Sequence, residues 1–167
     1  MTDFSFTCTK CREIHTGIPD LMAPHPAEYA AIPERERLKR TDLSSDTCVI
    51  DEKWFFVLAL LDIPIHERDE SLTYGLWVSL SPQSILTYSS LYEAPGRETH
   101  APVFAWLTTP PPLFGKGPLK SRLHFSPLPN RPKLELEPTD HPLAVAQREG
   151  ISQDRLREIL ADALHGD

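Results

Sequence analysis

"TCVIDEKWFFVLALLDIPI" (residues 47–65) is the stretch on which the fold turns. Two β-prone runs, "TCVI" (47–50) and "WFFVLALL" (54–61), flank Asp51-Glu52-Lys53, a link short enough for a tight hairpin turn. The second run is apolar at successive positions, so both of its faces must be covered, as in a central strand.

Reading toward the C-terminus, "LTYGLWVSL" (72–80) is another strong strand, and it runs into "SPQSILTYSSLYEAPG" (81–96). Ser81 before Pro82 pairs an N-cap with proline at the first helical position, which predicts a helix to about Tyr92 with Gly96 beyond its end. "VFAWL" (103–107), "SRLHF" (121–125) and "KLELE" (133–137) read as three further strands. In the last, Leu134 and Leu136 face the core, whereas Lys133, Glu135 and Glu137 face water. "TDHPLAVAQREG" (139–150) predicts a short helix capped by Thr139 or Asp140 and stopped at Gly150. A second helix, "SQDRLREILADALHG" (152–166), has Ser152 as its cap and a stripe of Leu156, Ile159, Leu160 and Ala163.

Reading toward the N-terminus, "AEYAAIPERERLKR" (27–40) is helical, with Pro33 starting a second helix or bending the first. Its "PERERLKR" part is mixed in sign and suits a solvated face. In "FSFTCT" (4–9), Phe4, Phe6 and Cys8 share one face of a strand. These elements predict an α+β fold: a mostly antiparallel sheet with helices packed on one side. A single domain, 1–167, is expected, with an N-terminal Cys/His knuckle in 1–20 and a C-terminal helical segment in 139–167.

A net charge of −7 argues against general nucleic-acid binding, which relies on Lys and Arg to displace counterions. No apolar run has the length of a membrane span, and no leader-like pattern opens the chain. Three cysteines, an odd number, argue against a disulfide framework and for a cytoplasmic setting. Prolines are abundant, 17 of 167, and "TTPPPLF" (108–114) and "HFSPLPNRPK" (124–133) read as ordered loops or strand edges.

The most chemically specific stretch is "FTCTKCREIH" (6–15). A Cys-x-x-Cys turn aims two sulfurs at one ion, and zinc takes thiolate and imidazole ligands in a tetrahedron. Cys8, Cys11 and His15 would supply three ligands, and Cys48, the remaining thiol, is the candidate fourth, with His25, His66 and Asp51 as alternatives. Cys8 and Cys48 also suit plain core packing. A redox dithiol sits at a helix start, which Gly17 and Pro19 disfavour, and Arg12 excludes the haem-attachment pattern. A three-ligand catalytic zinc would need a base, for which Glu13 is the nearest carboxylate; structural zinc is the preferred reading.

Asp140 and His141 could perform acid–base chemistry, although capping of the adjacent helix explains the same residues. Neither a phosphate-binding loop in "FGKGPLKS" (114–121) nor a nucleophile elbow in "GLWVSLS" (75–81) is present. Trp54, Trp77 and Trp106 all fall in strands and are expected in the core.

"CTKCREIHTGIP", "DTCVIDEKWFF", "GLWVSLS", "YEAPGRE", "FAWL" and "LELEPTDHPLAVAQREGIS" occur in an order and spacing that resembles the bacterial family known as domain of unknown function 2199. Members typically open with a Cys-x-x-Cys-Gly knuckle and a following histidine; here Arg12 stands where glycine, which permits positive φ, is usual. Cys48 corresponds to a cysteine in the family's "CVID" motif. The resemblance implies a small bacterial cytosolic protein and no particular activity. With no catalytic constellation in view, the expectation is a non-enzymatic interaction or accessory protein with a structural zinc site and a protein partner. A toxin-neutralising immunity protein is the first alternative, since an acidic surface speeds encounter with a basic one. A metal-dependent hydrolase, using Asp140 and His141 or an open zinc position, is the second.

Overall fold

The structure is a computed structural model that describes residues 3–166, so the outermost positions of the expected 1–20 and 139–167 segments lie outside the described residues. From the N-terminus the elements are β1 (Ser5–Thr7), β2 (Ile14–Thr16), β3 (Leu21–Met22), α1 (Ala27–Ala30), α2 (Glu34–Arg40) and β4 (Thr41–Leu43). Next come β5 (Thr47–Ile50), β6 (Trp54–Pro64), β7 (Ser71–Leu80), α3 (Pro82–Leu91) and β8 (Val103–Leu107). The chain closes with β9 (Leu119–His124), β10 (Lys133–Leu136), α4 (Pro142–Glu149) and α5 (Gln153–His165). The fold is α+β, as the patterning predicts.

The 51–53 link makes the expected hairpin. Asp51 and Glu52 both adopt left-handed backbone, at φ 53° and 54°, and the Lys53 amide donates to the Ile50 carbonyl at 3.0 Å. Two consecutive left-handed residues give a turn whose twist matches that of the strands it joins. Arg40 grips the turn from outside, donating through Nε and Nη2 to the two Asp51 carboxylate oxygens at 2.9 Å each.

β6 and β7 pair antiparallel from Phe55↔Leu80 to Pro64↔Ser71. The sheet then continues antiparallel through β8, β9 and β10. β10 returns to β6, in parallel, at Lys133↔Leu60, so five strands close into a barrel. The parallel seam follows from the count: a meander with an odd number of strands brings its first and last strands together in the same direction. The expected antiparallel sheet is therefore refined to a closed one, in which β6 lends one half of an edge to β5 and the other to β10.

Closure explains the doubly apolar "WFFVLALL". Val57, Ala59, Leu61 and Ile63 point into the main core with Leu72, Leu76, Val78, Leu107 and Leu123, and Leu143 of α4 with Leu156 and Leu160 of α5 plug it. Phe56 and Leu58 point the other way, into a second cluster with Ile32, Cys48, Ile50 and Trp77, covered by Tyr29 of α1. Successive side chains on a strand alternate faces, so one strand builds both clusters.

Ser81 and Ser152 cap α3 and α5 as expected, accepting from Ser84 N and Arg155 N at 3.0 Å. The cap of α4 is His141, whose Nδ1 accepts from Leu143 N at 3.1 Å, in place of Thr139 or Asp140. Pro33 precedes α2, which buries no residue. Two of the three tryptophans depart from expectation: Trp77 is buried, but Trp54 and Trp106 are 51% and 37% exposed. Both sit at register positions that face outward from the barrel. Among the described residues, no helix is long and apolar enough to cross a membrane.

Candidate metal centre

β1 and β2 form a separate antiparallel hairpin in which Phe6 lies opposite His15. Directly opposed residues share a face, so the imidazole is turned to the same side as the buried Phe4 and Phe6. Between the strands the chain makes a tight knuckle: the Cys8 amide donates to Glu13 O at 2.8 Å, and the Arg12 amide donates to Cys8 O at 2.9 Å. Arg12 adopts φ 65°, the left-handed conformation that glycine takes most readily. The knuckle thus keeps its shape without the glycine usual at that position.

Cys11 Sγ lies 3.2 Å from His15 Nε2. His165, the last residue of α5, brings its Nε2 to 3.3 Å from the same His15 nitrogen, with the two rings tilted by 46°. Together with Cys8 Sγ, these ligand atoms all fall within 4.8 Å of one another. Zinc bonds of ordinary length set the edges of an S₂N₂ tetrahedron at about 3.3–3.8 Å. The separations of 3.2 and 3.3 Å are close to such an edge, and the four donors lie close enough together to hold a metal ion.

The local electrostatics favour a ligating sulfur. Burial raises the Cys8 thiol, but the amides of Cys11 and Lys10, the Cys11 side chain and the Lys10 ammonium together hold it below its ordinary value. Amides directed at a thiolate are the usual source of such a shift.

Three of the four expected ligands converge; Cys48 does not. In β5 it lies opposite Phe56, which places it in the second cluster on the far face of β6. It is fully buried, and burial, with the nearby charges of Asp42 and Glu28, pushes its thiol up to about 11. Cys48 is a core residue. The other proposed fourth ligands are engaged elsewhere: His25 stacks on Tyr29 with centroids 5.0 Å apart, His66 Nε2 is 2.8 Å from Glu149 O, and Asp51 holds Arg40. His165 is the residue that sequence reasoning missed. Its one local signal is its place in the last turn, where a histidine reads as a partner for the helix dipole.

The remaining chemistry candidates resolve into structural roles. The knuckle leads into β2, not a helix, so no helix start supports a redox dithiol. His141 has both ring nitrogens engaged, Nδ1 in the cap and Nε2 2.8 Å from Lys116 O, while Asp140 is exposed.

No curated protein and no solved structure matches the chain. Residues 7–151 match the family described as "Uncharacterized protein conserved in bacteria (DUF2199)", a span that contains Cys8, Cys11, His15 and Cys48 and stops short of His165. The match covers most of the chain, and the protein belongs to this bacterial family.

Proposed function

We propose that the protein is a non-enzymatic interaction or accessory protein of the bacterial cytosol, whose N-terminal hairpin and C-terminal helix are clasped by one structural zinc ion on Cys8, Cys11, His15 and His165. The observation that carries this is the convergence of four sulfur and nitrogen ligands from opposite ends of the chain. Four protein ligands complete a tetrahedron and leave no position for water or substrate, which favours a structural over a hydrolytic ion. Phe104 and Trp106, half-exposed and packed edge to face at 5.2 Å on the outside of β8, are suited to a protein partner.

The test is elemental analysis of protein purified without chelator, with unfolding of the Cys8→Ser/Cys11→Ser variant alongside. About one zinc per chain and a clear loss of stability in the variant are expected. Metal-free protein, or a variant that unfolds like the parent, overturns the proposal.

A further inference from the structure

A groove of about 530 Å³ lies between β3, the segment leading into α1, the middle of β7, the proline-rich loop after β8, and α5. Its walls are mostly apolar, with Leu21, Leu76 and Trp77 among them, and its volume is that of a small-molecule site. Three carboxylates line it, from Asp20, Glu28 and Asp162, and no lysine or arginine does. Glu28 accepts the Thr108 hydroxyl. Asp162 faces the Lys10 ammonium at 3.9 Å. Asp20 has no partner among the described residues.

Acidic side chains on a rim are ordinary, and a second observation gives these a direction. Tyr74 lines the same groove, is 4% exposed, and makes no hydrogen bond to another of the described residues. Every sealed side-chain polar atom among the described residues has a partner. The Tyr74 hydroxyl, having none, must therefore keep contact with solvent, and the groove is the opening it lines. The charges acting on it are Arg155 first and Asp162 second, and Arg155 is itself held by Glu158 at 3.0 Å. A buried phenol left open toward an apolar, negatively lined groove is suited to receive a hydrogen-bond donor.

We propose that this groove binds a small organic cation, an ammonium group carried on an apolar body. The ammonium N–H groups donate to the Tyr74 hydroxyl oxygen and to the rim carboxylates, while the body lies against Leu21 and Leu76. An anion would meet three carboxylates, of which only Asp162 has a cation, Lys10, beside it among the described residues, and no lysine or arginine lines the groove. A neutral apolar molecule would cover the Asp20 carboxylate, which has no partner among the described residues, without pairing it, which is costly. None of Cys8, Cys11, His15 and His165 lines this groove.

The test is a nuclear magnetic resonance titration of the full chain with three probes of one shape: 2-phenylethylammonium, 2-phenylethanol and 3-phenylpropionate. The Trp77 indole N–H, which donates to Ala23 O at 2.9 Å in the groove wall, is the reporter. The ammonium is expected to saturate and to shift that signal, the alcohol to bind at least about tenfold more weakly, and the carboxylate not to bind. Tyr74→Phe removes only an unpartnered hydroxyl, so it should leave unfolding unchanged and weaken the ammonium by about three- to tenfold, as should Asp20→Asn. Equal binding of the three probes, preference for the carboxylate, no saturation by about 10 mM ammonium, or shifts centred on His15 and His165 would each overturn the proposal.

Discussion

Arg12 holds a left-handed backbone, at φ 65°, in the turn that sets the spacing of Cys8 and Cys11. A side chain there costs about 1–2 kcal/mol in steric strain, partly offset because glycine makes the unfolded chain freer. Arg12→Gly should raise stability by about 0.5 kcal/mol in urea unfolding and leave zinc content unchanged; a loss would show that the arginine side chain itself supports the knuckle. The two kinds of cysteine should separate in the same way. Cys48→Ala should cost about 1 kcal/mol through a small cavity while zinc stoichiometry stays the same. His165→Ala, at an exposed position, should leave metal-free stability unchanged and weaken zinc binding, read by competition with a chromophoric chelator. Cys8, Cys11 and His15 were legible in the sequence because they share one short turn. His165 lies 150 residues from His15, and no spacing rule reaches that far.

At the scale of elements, α5 carries His165, the fourth member of the Cys/His cluster, so its start matters as well as its end. Ser152→Ala removes the acceptor for Arg155 N and should lower stability by about 1 kcal/mol, measured by thermal or urea unfolding. The barrel seam has a pH signature. Burial raises the Asp62 carboxyl, but hydrogen bonds from Lys133 and Thr73 hold it below its ordinary value, and the Lys133 ammonium lies 2.7 Å away. Asp51 is likewise held low by the Arg40 guanidinium. A carboxyl depressed in the folded state stabilises fully above its unfolded pKa, about 4, and loses that contribution as pH falls through the folded value. Stability should therefore decline on acidification below pH about 4, and Asp62→Asn should make that decline shallower in unfolding measured across the range. Unchanged slope would mean that the exposed pair is screened by solvent. Strand and helix positions were largely legible, since alternation, Ser caps and Pro33 act locally. The short strands β2, β3 and β4 were not, because two or three residues carry too little periodicity to register.

For the whole molecule, the proposed zinc ion would tie the N-terminal hairpin to the last turn of α5. Phe4, Phe6 and Cys8 pack into the same core cluster as the barrel residues of β6 and β7, but most of that cluster comes from the barrel strands, α4 and α5. Adding a chelator should speed amide hydrogen exchange in β1, β2 and the last turn of α5, while β6 and β7 stay protected. Uniform loss of protection would instead make the ion a requirement for folding, as in domains too small for a core of their own. The acidic net charge of −7 is consistent with the groove's preference for a cation, but the charge alone does not locate that groove.

By itself the sequence determined the α+β class, the hairpin turn, most strands and helices, and the knuckle, because each follows from side-chain alternation, capping or spacing within a few residues. Tertiary structure alone decided that the meander closes on β6 in parallel, that Cys48 faces away from Cys8, and that His165 arrives at the knuckle. Those outcomes depend on which edge a strand finds and which face of β6 a neighbour covers. Such choices are made by packing between segments far apart in the chain, where local pattern carries no information.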